Sequence, residues 1–166
     1  MNYQEASEYW IKKDKNGVKA PKEELLKRID HFIKAHNTLA LATGFGNELR
    51  ATPVEYNYYD GAFYLFSEGG LKFKYLEHNK NVAACIFDSY TGFASIHALQ
   101  MEGTASIIEP NEEEFARICE KKGLNLAAIQ KMGVPFHLIK ITPRAYDYLD
   151  SDLKKDGYSN RQHLDC

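Results

Sequence analysis

Cysteine is scarce in this chain of 166 residues: Cys85, Cys119 and Cys166 are odd in number, far apart and never in a CxxC pair. Neither a disulfide framework nor a cysteine-based zinc centre is therefore expected. Cys85 reads as a small core residue and Cys166 as an exposed terminal thiol. No apolar run approaches the roughly 18 residues that a membrane helix needs. The polar, acidic N-terminus also lacks the basic-then-apolar pattern of a leader, so a soluble, cytoplasmic chain with no membrane partner is expected. Basic excess is missing as well. With 21 Lys and Arg against 23 Asp and Glu, the formal net charge is −2. That balance argues against a nucleic-acid surface, which needs a basic stripe to release counterions. Lys12-Lys13 and Lys121-Lys122 are short, acid-bordered pairs that read as solvated helix faces.

Motifs of other chemistries are lacking too. His31 and His36 stand five apart, which does not give the i,i+4 face of helical zinc ligands, and His78, His97, His137 and His163 are scattered, so no metal site is expected. There is no nucleophile elbow. Gly44-Phe45-Gly46 lacks the third glycine of a dinucleotide loop, with Leu49 in its place and an extended segment after it.

What the chain has is aromatic and apolar residues in periodic order: 13% aromatic and 44% hydrophobic. This suffices for one compact domain over 1–166, with an N-terminal extension at 1–20 and a polar surface tail at 150–166. Tyr3, Tyr9 and Trp10 give the extension some packing role. Pro21 to His36 predicts a helix with Leu25, Ile29, Phe32 and Ile33 on one face. Thr38 to Thr43 predicts the first strand, Thr52 to Tyr59 the second, and Ala62 to Ser67 its return partner after an Asp60-Gly61 turn. Further strands are expected at Val82 to Asp88, Ser95 to Ile108 and Phe136 to Leu149, with an aromatic loop Tyr90-Thr91-Gly92-Phe93 between the first two. Gly103 would weaken its strand unless it marks a bulge or close approach. Asn111 should cap a helix running to about Lys122, and a shorter helix should follow from Asn125 to Lys131. These elements predict a mainly β protein, an antiparallel barrel with peripheral helices.

The segment most suggestive of chemistry is Ser67-Glu68-Gly69-Gly70-Leu71-Lys72. Glycines free backbone amides to face one point, a helix start adds the positive end of its dipole, and Ser67 and Lys72 add a hydroxyl and a charge. Such a loop suits an anion, a phosphate above all.

Arg50-x-Thr52-Pro53, Ser67, Lys72 and Leu76-x-x-Asn79, in this order of elements, resemble the FMN-binding split β-barrel proteins related to pyridoxamine 5′-phosphate oxidase, over about residues 25–149. The resemblance implies a homodimer with FMN at the subunit interface. Arg50 would contact phosphate or ribityl oxygens and Thr52, Pro53 and Val54 would line the ring. Ser67 and Lys72 would hold the phosphate, with the loop Glu68-Gly69-Gly70 presenting amides. Gln100 and His97, if they face the partner's ring, would bond its pyrimidine edge; otherwise they are ordinary strand-surface residues. Glu55 and His97-Ala98 replace basic and Arg-Gln residues of true pyridoxamine-phosphate oxidases, and a tryptophan and arginine signature is not evident after Tyr158. The chain is closer to nitroimidazole-resistance-type and uncharacterised flavin-binding relatives, which share the Thr-Pro-x-x-Tyr strand. The implied function is an FMN-dependent oxidoreductase that reduces a small organic acceptor, with NAD(P)H as a possible donor. The alternative is a noncatalytic binder of flavin or haem, with His97 as the candidate axial ligand.

Overall fold

The computed structural model describes residues 2–92, 94–131, 133 and 136–166, so the expected aromatic loop falls outside the described residues at Phe93. Eight strands among them form one antiparallel sheet: β1 (Thr38–Phe45), β2 (Glu48–Glu55), β3 (Asn57–Tyr59), β4 (Ala62–Ser67), β5 (Asn81–Phe87), β6 (His97–Ile108), β7 (His137–Asp150) and β8 (Arg161–Asp165). Their order is β2-β1-β5-β6-β7-β4-β3, and β8 adds to β7. The fold is mainly antiparallel β with a few helices, as the sequence predicts.

The expected strand Thr52 to Tyr59 is in fact two. Its first half pairs with β1, its second with β4, and Tyr56 separates them. Those halves sit at opposite ends of the strand order, yet two residues of chain span at most ~7 Å. The edges of the sheet must therefore meet at Tyr56, and the sheet curls into a split barrel. Tyr56 is fixed there by donating its backbone N–H to the Asn37 carbonyl (2.8 Å) and its hydroxyl to the Ile33 carbonyl (2.6 Å). The following turn forms as predicted, with Asp60 and Gly61 both at positive φ (54° and 78°). Gly103 marks both a bulge and a close approach. The β6–β7 register shifts between Glu102 and Gly103, and a Cβ at Gly103 would lie 2.8 Å from the Thr142 carbonyl oxygen.

The barrel interior is filled by alternate residues such as Leu39, Leu41, Phe63, Leu65, Ile86, Leu99 and Ile141. Helix α2 (Lys22–Ala35) packs Leu25, Ile29, Phe32 and Ile33 into the same core, the face its 3.6-residue periodicity predicts. After β4 comes α3 (Leu71–His78), which opens on Gly70. A second core forms where α4 (Glu113–Lys122) and α5 (Leu126–Lys131) cover Tyr64, Ile108 and Leu138 with Phe115, Ile118, Cys119 and Ile129. Glu112, not Asn111, takes the N-cap of α4, and its side chain instead accepts the backbone N–H of Glu109 at 2.6 Å. The Lys pairs are solvated helix faces: Lys12 bonds Glu8, Lys121 bonds Asp60 and Lys122 bonds Glu55.

Three expectations change. Residues 150–166 are not a surface tail: a 3₁₀ turn, Ser151–Asp156, buries Leu153 completely, and β8 pairs with β7 and buries Gln162 and Leu164. The polar composition misleads because one apolar residue per turn is enough to anchor a segment that joins an existing sheet edge. Cys85 is half-buried on the outer face of β5, not in the core. The N-terminal helix α1 (Tyr3–Lys15) buries no residue, and Tyr3 is 98% exposed. Trp10 contacts Tyr9 of its own helix and lies under the Lys13 ammonium and the Arg161 guanidinium. The chain just after α1 is tied down by Ala20, whose N–H donates to Gln162 Oε1 at 3.1 Å.

If residues 150–166 are integral, Leu153→Ala lowers unfolding free energy by about 2–5 kcal/mol in urea titration. An unchanged midpoint would return the segment to the status of a tail.

Candidate functional site

The antiparallel register of β1 with β2 opposes Arg50 to Thr43, Thr52 to Leu41 and Val54 to Leu39, so these three β2 residues share the barrel-facing side. Pro53 opposes Ala40 on the other side, so the expected ring-lining trio does not share a face. Where the apolar filling ends, Thr43 is buried beside the exposed Arg50, and the Oγ1 atoms of Thr43 and Thr52 are buried with no hydrogen-bond partner. Each such hydroxyl costs about 1–3 kcal/mol of unrecovered solvation.

The glycine loop forms the neighbouring wall. Gly69 and Gly70 adopt φ of 147° and 105°, the region that disfavours residues with a Cβ, and α3 starts with no side-chain cap on its first amides. Ser67 Oγ donates to the Gly69 carbonyl at 3.2 Å, and Lys72 Nζ donates to the same oxygen at 2.6 Å. Lys72 is only 8% exposed. Burial, then the nearby positive charge of Arg50, holds its ammonium below the usual lysine range. Among the described residues neither Lys72 nor Arg50 forms an ion pair with a carboxylate. A buried lysine without a carboxylate partner among the described residues, two orphaned hydroxyls and helix amides without a side-chain cap are donors of the kind that suit an anion.

The C-terminal end of α3 is secured by Asn79, whose Nδ2 donates to the Gly44 carbonyl (3.0 Å) while its Oδ1 accepts the Asn81 N–H (3.0 Å). Thr43, Arg50, His78, Asn79 and Asn81 line a cleft of about 690 Å³. The mouth of that cleft also carries Phe45 stacked on His78, with ring centroids 4.5 Å apart.

Thus Arg50, Thr52, Ser67, Gly69, Gly70 and Lys72 belong to one end of the barrel, with Val54 deeper on the same face and Glu68 exposed in the loop. Gln100 does not join them. It is exposed on the outer face of β6, in register with Cys85 and Asp147, beside a hollow lined by Ala40, Ala42, Ala51 and Ala83. The His97 ring nitrogens face Asp88, Asp150 and Asp152. Sequence reasoning missed Thr43 and a pair of rings beside the loop, Phe66 and Phe136, stacked at 5.3 Å. Thr43 could have been found from strand parity, since it continues the buried series Leu39, Leu41. The ring pair joins β4 to the residue preceding β7 and leaves no local signal.

The pyridoxamine 5′-phosphate oxidase family model matches residues 25–150. A comparison with curated proteins yields no match. Among solved structures, Campylobacter jejuni ChuZ is similar at 19% identity and a TM-score of 0.67, covering 89% of this chain and 61% of its own. The chain thus spans about three fifths of ChuZ. HutZ of Vibrio cholerae is similar at 18% identity and a TM-score of 0.57, covering 70% of this chain and 88% of its own. A Mesorhizobium loti protein is similar at 16% identity and a TM-score of 0.56, with 73% and 89% covered. At these identities the likeness establishes the split-barrel fold. Together with the family model over most of the sheet, it means that this chain belongs to the pyridoxamine 5′-phosphate oxidase family.

Proposed function

We propose that the chain is an FMN-binding flavoprotein that acts as an oxidoreductase on a small organic acceptor. The observation that carries this reading is the buried Lys72 against Gly69 and Gly70: an ammonium without a carboxylate among the described residues, at the start of a helix. With a phosphate bound, the Lys72 ammonium exchanges a carbonyl for an anionic oxygen, a stronger charge-assisted bond. Ser67 turns its hydroxyl from Gly69 to the same group. The orphaned Oγ1 atoms of Thr43 and Thr52 offer hydrogen bonds to ribityl or ring oxygens. Bound flavin would accept and pass on a hydride or electrons, and NAD(P)H suits the donor's role. The chain contributes position, charge and exclusion of water by the barrel wall.

Relatives support a cofactor role and divide over its kind. The Mesorhizobium loti protein is described as FAD-binding, HutZ as a haem storage protein, and a Mycobacterium smegmatis neighbour as haem-binding. Haem needs an axial ligand. His97, the candidate for it, pairs with Asp150 at the far end of β7 from His137, the residue that opposes Ser67, so the flavin reading has the better support.

Homodimerisation belongs to the same proposal. Ala40, Ala42, Ala51 and Ala83 give the outer face of β2, β1 and β5 a small-residue surface, and Leu49 and Phe87 on that face are exposed. A second copy seated there would bring its Gln100 toward this copy's cofactor. Ala83→Arg is expected to convert a dimer to a monomer in light scattering; a wild type that is monomeric at all concentrations removes the two-copy site.

Purified protein titrated with FMN should show a perturbed flavin spectrum that bleaches on anaerobic addition of NADH or NADPH. Lys72→Met should weaken FMN binding about 10–100-fold, the worth of one charge-assisted bond. Unchanged affinity in that variant would sink the phosphate assignment. Thr43→Val should stabilise the apoprotein by about 1 kcal/mol in thermal melts, because it deletes an unpaired buried hydroxyl. The same substitution should weaken FMN binding; lost stability without lost affinity would show that Oγ1 serves the fold alone.

A further inference from the structure

We propose that His97, Asp150 and Asp152 form a binding site for a first-row divalent metal cation of the zinc type, separate from the phosphate loop. The three residues meet where β6 begins, β7 ends and the 3₁₀ turn follows. His97 Nε2 lies 3.5 Å from Asp150 Oδ1 and 3.8 Å from Asp152 Oδ2, and all three ligand atoms fall within 4.8 Å of one another. A tetrahedral ion with bonds of ~2.0–2.1 Å separates its ligand atoms by roughly 3.3 Å, so small rotations of Asp150 and Asp152 close the set.

The surroundings orient each ligand. Asp88 Oδ2 lies 3.3 Å from His97 Nδ1, and a carboxylate on that side favours the tautomer that leaves Nε2 as the metal-facing lone pair. Asp88 is itself held by His36 Nε2 at 2.8 Å. Asp150 is buried, its Oδ2 accepting the Tyr148 hydroxyl at 3.1 Å and its Oδ1 the Asp152 N–H at 2.8 Å. Lys155 engages Asp152 through Oδ1 at 2.7 Å and leaves Oδ2 toward His97. Two carboxylates aimed at one imidazole nitrogen are acceptors only. A divalent cation between them gives a neutral set, His, Asp⁻, Asp⁻ and M²⁺, with imidazole and carboxylate ligands of the kind zinc takes. Asp152 is half exposed, so the fourth position opens to water. The ion would clip the 3₁₀ turn, and with it β8, to the start of β6.

The test is a titration of chelator-treated full-length protein with Co²⁺ alone, read by its visible ligand-field bands, followed by displacement with Zn²⁺. One equivalent should bind with tetrahedral intensity and raise the melting temperature. His97→Gln and Asp152→Asn should each weaken binding at least ~10-fold. His163→Gln should not, although that exposed ring also faces two carboxylates, Asp147 at 2.8 Å and Asp165 at 3.2 Å. Equal affinity in wild type and His97→Gln, loss of binding in His163→Gln, or no saturable site in wild type would overturn the proposal. If His97→Gln fails to fold, Asp152→Asn at the exposed position decides the matter by the same readout. None of these outcomes depends on flavin.

Discussion

The structure depends on one covalent constraint, the single residue Tyr56 that joins strands at the two edges of an eight-stranded sheet. A flat sheet cannot satisfy it. Curling does, by bringing the ends of β2 and β3 together on either side of Tyr56. The constraint needs anchoring, which the buried Tyr56 side chain supplies through its bond to the end of α2 at Ile33. The two longest strands, β6 and β7, carry the curvature, and the bulge at Gly103 lets their backbones approach where a side chain would collide with Thr142.

Closure leaves a mouth where barrel-facing positions run out of apolar partners. Thr43, Thr52 and Arg50 occupy that mouth from β1 and β2, and Lys72 enters it from α3. Three of the four are locally unfavourable: two unpaired hydroxyls, and a lysine that surrenders solvation to bond a carbonyl. Groups left unsatisfied in this way cluster at functional sites in proteins generally, the proposed cofactor would supply their missing partners, and the rest of the core offsets their cost. The far side of the sheet carries small residues and a half-buried thiol, the surface on which the proposed second copy would seat.

Much of this was legible in the residues. The α2 face, the Asp60-Gly61 turn, Gly103 as a special position and the glycine–lysine loop each follow from local periodicity or backbone chemistry, and each is present. The break at Tyr56 was not legible, because a tyrosine between two alternating segments continues the pattern on both sides. Residues 150–166 misled for the opposite reason: their polar majority hides Leu153 and Leu164, whose burial depends on an edge of β7 that no local pattern reveals. Gln100 was read correctly as strand-borne. Which side of a closed sheet it faces relative to Arg50 required the register of four strands.

The sequence by itself determined the α2 helix, most of the strands between residues 38 and 149, and the loop whose glycines and lysine suit an anion. These are properties of neighbours within a few residues, set by φ/ψ preference and side-chain period. The tertiary structure alone decided that Lys72 is buried against the glycine loop, that Thr43 is left without a partner, and that His97 meets Asp88, Asp150 and Asp152. Those meetings arise from barrel closure and strand register, in which a shift of one residue would send every side chain to the other face.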